Sequence, residues 1–527
     1  MTFRTKAATL FPASIVRSML VLGIAAFCIN AQEAPQQFVI TPDIRASLDQ
    51  ISADSMRGHL SFIASDALEG RNTPSRGLDI AAEYIAAQFR RAALEPAGDE
   101  GYFQTATFLL AETPMDAFEL KLKAGTETIV VAKSQLSFNI DRELKLSTPM
   151  FKVDYADAAA IAALTIEQVA DKAVITEIPD SRRVADQSRR LEMFRAREEF
   201  LKKITELRAA AVISIDRLST TAVQGRLIDP DNRRSFGQQQ PSTPVLTVHD
   251  SRVIKAYDLT KAGMSVAELS LRLPAQTEKP IKLRNVIGLL RGSDPGLKDT
   301  YLLVTAHYDH IGVRQGLDGD NIFNGANDDG SGTVSVMELA SALAQLKQRP
   351  KRSIVFITFF GEEKGLLGSR YYGRHPVFPI EKTVGDINLE QVGRTDSSEG
   401  PQLANATLTG FDYSDIGAIL QAAGKATGIT VYKHEQNSDS FFSRSDNQAL
   451  ADQGVPAHTL CTAFVYPDYH GVGDHWEKID YANMEKVDRM VGLGLIMIAN
   501  NPEAPKWNEA NPKAARYVKA WNDHHGN

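Results

Sequence analysis

From Ala53 onward the chain alternates between helical and strand-like spacing of apolar residues. Met56, Leu60 and Ile63 recur three and four apart behind Ser52 and Asp54, either of which can cap a helix. Residues 71–77, with Pro74 and Gly77, read as a turn, and 78–89 form a clear amphipathic helix. Short alternating strands are expected over 105–135. A different α/β pattern occupies 140–275: strands at 173–176, 209–215 and 244–248, a charged helix over 188–207, and a polar surface loop at 228–243. The Arg-rich stretch 182–197 reads as a solvated helix face, with a binding face as the alternative. Beyond Leu283, strand candidates at 284–290, 300–305, 353–360, 384–389 and 456–464 alternate with helical stretches at 333–346, 412–427 and 483–499. That alternation predicts an α/β fold whose mostly parallel or mixed sheet is sandwiched by helices, with a smaller α/β unit inserted.

With 527 residues and 43% hydrophobic content, the chain has ample core for two to four compact units and is too apolar to be disordered. The formal charge of −7 gives no general attraction for nucleic acid. Arg4, Lys6 and Arg17 are the only charges among the first 31 residues, ahead of an apolar run from Met19 to Ile29. This reads as a secretory signal peptide ending near Ala31, with an uncleaved anchor as the alternative, and predicts a periplasmic or extracellular protein. Removing those three positive charges takes −7 to −10, and no later apolar run is long enough to span a membrane. Cys28 would leave with the leader. Cys461, then alone, is expected in a buried strand and without a disulfide.

The residues able to carry chemistry fall just after predicted strands, where open α/β sheets place their sites. His307 leaves the strand ahead of it, and Asp309, two residues on, suits a carboxylate that orients an imidazole ligand. Asp328 and Asp329 lie between glycines at a helix start, a pattern that fits helix capping as well as metal binding. Glu362 and Glu363 stand side by side at the exit of an apolar strand, where like charges repel unless a cation is present. One could then be a ligand and the other a proton shuttle. Glu390 follows another strand, and His470 lies in a Gly-rich loop. Two imidazoles and three carboxylates suit zinc, and a shared carboxylate suits a pair of ions. The missing thiolates argue against a structural zinc site.

In order and spacing, Ala306-His307-Tyr308-Asp309, Gly325 to Gly332, Gly361 to Ser369, Ile387-Asn388-Leu389 and Tyr469-His470 resemble the M28 zinc metallopeptidases. Residues 53–103, notably Ala64 to Arg71, resemble the N-terminal segment of larger members, and 140–275 is similar to the protease-associated domain often inserted there. After the signal peptide (1–31), the resemblance implies two peptidase segments (32–139 and 276–505) flanking that insert (140–275), and a tail (506–527). It implies two zinc ions: one held by His307 and Glu390, the other by Glu363 and His470, with Asp328 bridging. Glu362 would be the general base and Asp309 would orient His307. The implied activity is removal of N-terminal residues from peptides with a free N-terminus. A carboxypeptidase or dipeptidase, a glutaminyl cyclase, or a non-catalytic receptor-like protein are the alternatives on the same fold. Two departures stand out: Glu390 where many relatives carry Asp, and Asn447 in Ser445-Asp446-Asn447 where relatives often carry His.

Overall fold

The computed structural model describes residues 38–138, 140–179, 187–217, 225–232, 243–314 and 319–526. The leader expected at 1–31 and part of the Arg-rich stretch lie outside these residues. From Thr41 onward the chain forms one compact unit containing two large sheets.

The first is a mixed sheet of ten strands. Its core is parallel: Ser353–Phe359, Tyr301–His307, Thr383–Leu389 and Ala457–Cys461 lie side by side. Every residue of these four strands is buried, which explains their continuous runs of apolar residues in place of alternation. Thr277–Leu290 and Phe103–Glu112 extend the sheet antiparallel on one side. Asn405–Leu408 and Thr430–Tyr432 extend it on the other.

Helices cover both faces. Gly332–Ala344 lies against the central strands, under Ala53–Ile63 and Arg76–Arg91, and is buried almost throughout. Tyr481–Asn500 packs beside it. On the other face Tyr372 and Ala449 to Ala451, from two short helices, close over Leu303, Val355 and Ile357. The helix starts follow their caps: Ser52 accepts from Ser55 N, Ser75 from Leu78 N and Asp480 from Asn483 N.

The second sheet has eight strands, in the order 127–130, 119–124, 265–273, 144–152, 173–176, 211–215, 245–248 and 136–138. Alternate residues serve two cores. Ile175 and Ile213 meet Val253 and Tyr257 of the helix Ser251–Leu259, whereas Val174 and Val212 meet Phe200 and Ile204 of the helix Gln187–Glu206.

Two details differ from the sequence reading. The alternating stretch expected over 105–135 divides between the sheets: Phe103–Glu112 is a single long strand of the main sheet, and the second sheet already begins at Glu119, ahead of residue 140. Arg226–Ile228, within the expected insert, returns to pair with Phe103–Glu112. Periodicity shows that a strand exists but not which sheet receives it; that is decided by pairing between residues far apart in sequence.

Candidate metal centre

The centre gathers at the carboxyl ends of the parallel strands, where side chains leave the buried sheet together. His307 is the last residue of Tyr301–His307, Glu390 directly follows Thr383–Leu389, and Glu362 and Glu363 follow Ser353–Phe359. Gly361 makes the turn into the paired glutamates at φ +69, the left-handed region that glycine enters without strain. Asp328 comes from the segment leading into helix Gly332–Ala344, and its peptide bond to Asp329 is cis. His470 arrives from the loop after Ala457–Cys461, itself left-handed at φ 54. For a non-glycine residue this costs on the order of 1 kcal/mol, and such strain concentrates at functional sites.

The seven residues expected from sequence converge, Asp309 behind His307, and Asp328 lies between His307 and His470. His307 Nε2 is 3.3 Å from its Oδ1 and His470 Nε2 is 3.1 Å from its Oδ2. His470 Nε2 is also 3.3 Å from Glu363 Oε1, and Glu362 Oε2 stands 4.0 Å from His307 Nε2. Two sets of donors lie within 4.8 Å of one another: His307, Asp328 and Glu390, and His310, Asp328 and Glu363. His307 Nε2, both ring nitrogens of His310, Glu363 Oε1 and Glu390 Oε2 have no hydrogen-bond partner, although oppositely charged groups face several of them. Buried imidazole nitrogens and carboxylate oxygens crowded at these distances fit cation coordination, and the mixed set fits zinc.

The electrostatics show the same crowding of negative charge. Burial pushes the Glu362 pKa well above the ordinary range, and Glu390, Asp446 and Glu363 add to the shift against the pull of His307. Glu390 is raised to about 7, mainly by burial. Burial and Asp328 act to raise Glu363, but His310 and His470 hold it at about 2. Burial acts to lower His470, but Asp328 and Glu363 raise it to about 10.

A ring of buried contacts fixes the donors. His307 Nδ1 is 3.2 Å from the Asp309 carbonyl oxygen and 3.6 Å from its carboxylate. That carboxylate accepts from Glu362 N and from the Thr73 hydroxyl, so it ties the His307 strand to the glutamate turn. Asp329 accepts from His307 N, Gly332 N and Gln391 N, and so joins three donor-bearing segments. Asp474 accepts from Asn327 N, Asp328 N and the Tyr466 hydroxyl. Asp329 therefore anchors the helix start, one of the two readings its sequence allowed, while Asp328 faces the donors.

Sequence reasoning gave no role to two residues that the structure places here. Arg71 is fully buried, and its guanidinium donates to the carbonyl oxygens of Tyr308, Ile63, Asn324 and Gly325. His310, three residues after His307, is also fully buried and faces Glu363. Cys461 is buried at the end of the strand Ala457–Cys461, as expected, and lines a pocket beside Glu390 together with Phe441, Phe464 and Arg444.

The parallel-centred sheet ending in clustered imidazoles and carboxylates has the architecture of the zinc aminopeptidase-like fold. Residues 285–493 match the model of peptidase family M28. A probable zinc metalloprotease of Pyrenophora teres f. teres is 34% identical over 280 residues, which are 48% of this chain and 57% of that protein. The chain thus spans less than two thirds of that relative's length. Among solved structures, an aminopeptidase from Aneurinibacillus sp. strain AM-1 superposes with a TM-score of 0.56 at 18% identity, covering 88% of this chain and 97% of its own. A zinc aminopeptidase from Bacillus subtilis gives 0.55 at 18%, covering 86% and 97%. At such identities these two structures establish the shared fold.

Proposed function

We propose that the protein is a two-zinc exopeptidase that removes N-terminal residues from peptides. The observation that carries this reading is the placement of Asp328 between His307 and His470, with Glu362 and Glu363 beside them. His307, Asp328 and Glu390 would hold one ion, and Asp328, Glu363 and His470 the other. Bound there, a zinc pair would lower the pKa of water and polarise the scissile carbonyl. Glu362 takes the proton of the attacking water and delivers it to the leaving amine, a role suited by its raised pKa. Asp309 keeps His307 and the Glu362 backbone in register. The excess of carboxylates suits the positive α-amine of a free N-terminus, and the two superposable structures are of aminopeptidases.

Arg444, lining the pocket beside Glu390, favours a second reading, because a guanidinium there could face a substrate's α-carboxylate as in a carboxypeptidase or dipeptidase. Arg4, Lys6 and Arg17 ahead of the apolar run at 19–29 support export, and no helix among the described residues is long and apolar enough to cross a membrane. The second α/β sheet supports assignment as a protease-associated domain.

One peptide sequence prepared in free, N-acetylated and C-amidated forms separates the readings. The free and amidated forms are expected to lose N-terminal residues, the acetylated form to resist, and a chelator to stop cleavage. Equal cleavage of the free and acetylated forms would contradict an aminopeptidase, and resistance of only the amidated form would favour the second reading.

A further inference from the structure

We infer that His310 is a further imidazole ligand of the centre, joining Glu363, Asp328 and His470 around the ion on the Glu363 side. The inference rests on the two-zinc reading above and extends it by one donor.

The His310 ring is fully buried, and neither of its nitrogens has a hydrogen-bond partner. Its Nδ1 nevertheless lies 2.8 Å from Glu363 Oε1. An orphaned buried polar group costs on the order of 1–3 kcal/mol, and donation of a lone pair to a cation removes that cost. The neighbouring donors are in place: His310, Asp328 and Glu363 offer atoms within 4.8 Å of one another, and His470 Nε2 faces the same Glu363 oxygen.

The pocket around the ring is built to hold it. A Cβ on Gly325 would sit 2.4 Å from His310 Cγ, so only glycine there leaves room for the imidazole. Gly325 is itself held through its carbonyl oxygen by Arg71, whose own carbonyl oxygen accepts from His310 N.

A functional asymmetry follows. With His310 the Glu363 side has four protein donors, whereas the other side has three: His307, Asp328 and Glu390. Zinc sites closed by four protein ligands are characteristically structural, and those with three keep a position for water or substrate. The Glu363-side ion is then the tightly held one, and the exchangeable position belongs to the His307–Glu390 side.

The alternative role for His310 is a positioning one, as a hydrogen-bond donor that steers Glu363. Cobalt titration of the metal-stripped full chain distinguishes the two. Wild type is expected to take two equivalents, the first more tightly. His310→Ala should weaken that first equivalent by more than about 100-fold, the upper end of the cost of losing an outer hydrogen-bond partner. It should also change the visible absorption of the cobalt. His310→Gln, which can still donate to Glu363, should not restore either property. X-ray absorption of wild type carrying one equivalent is expected to show two imidazoles, which tests the point without a variant. A single imidazole, unchanged affinity and absorption in His310→Ala, or full rescue by His310→Gln would each overturn the proposal while two-ion binding persists. Failure of wild type to bind cobalt at all would overturn the two-zinc reading with it.

Discussion

Glu362→Gln is expected to lower kcat by about 10²–10⁴-fold, the usual contribution of a positioned proton-transfer group, with metal content unchanged. The substitution preserves shape and removes the ability to take a proton. Glu362 Oε2 stands 4.0 Å from His307 Nε2, farther than the imidazole contacts of Asp328 and Glu363. Glu363 has the opposite surroundings, with His310 and His470 both against its Oε1. Turnover of a free peptide and metal quantification on the same preparations check the assignment. Loss of an ion from Glu362→Gln, with Glu363→Gln keeping both, would show that the two adjacent glutamates have exchanged roles.

The largest effect on stability is expected at Arg71. Its guanidinium is surrounded by four carbonyl oxygens, two of them at Asn324 and Gly325 just ahead of Asp328 and one at Tyr308 just after His307. The fourth, at Ile63, brings in the helix Ala53–Ile63. Burial lowers the Arg71 pKa to about 10, against the pull of Asp309 and Asp474, so the group remains charged near neutrality. Arg71→Met leaves four acceptors without their donor. Since each hydrogen bond to a charged group contributes about 1.5–3 kcal/mol, a loss of at least about 3–5 kcal/mol is expected. Thermal unfolding should show Tm lower by about 3–5 °C for a unit of this size. Arg71→Lys should recover little, because an ammonium lacks the planar fork that serves several acceptors at once. A Tm within about 2 °C of wild type for Arg71→Met would contradict this role.

The sheet and the centre were legible in sequence to different depths. Thr383–Leu389 and Ser353–Phe359 stand out as apolar strands because both faces of the sheet are covered. The donors stand out because charged residues directly after such strands need a reason. The placement of Asp328 between His307 and His470 was expected only through resemblance, since adjacency to Asp329 cannot tell which carboxylate faces the donors and which caps a helix. Arg71 was hidden by its type: arginine in a turn is ordinarily solvent-exposed, and its four acceptors come from positions as distant as 8 and 254 residues. His310 was hidden by its neighbour. Spacing along an irregular loop carries no period, so nothing in the sequence aims its ring at Glu363. A faint signal existed in the left-handed Gly325, whose need becomes visible only with the ring beside it.

The most direct measurement is an anomalous-difference map from zinc-loaded crystals, collected at the zinc edge. Two peaks about 3.5–4 Å apart are expected. Asp328 should contact both, His307 and Glu390 the first, and Glu363 and His470 the second. One peak, no peak, or a pair that does not share Asp328 would contradict a paired-ion centre.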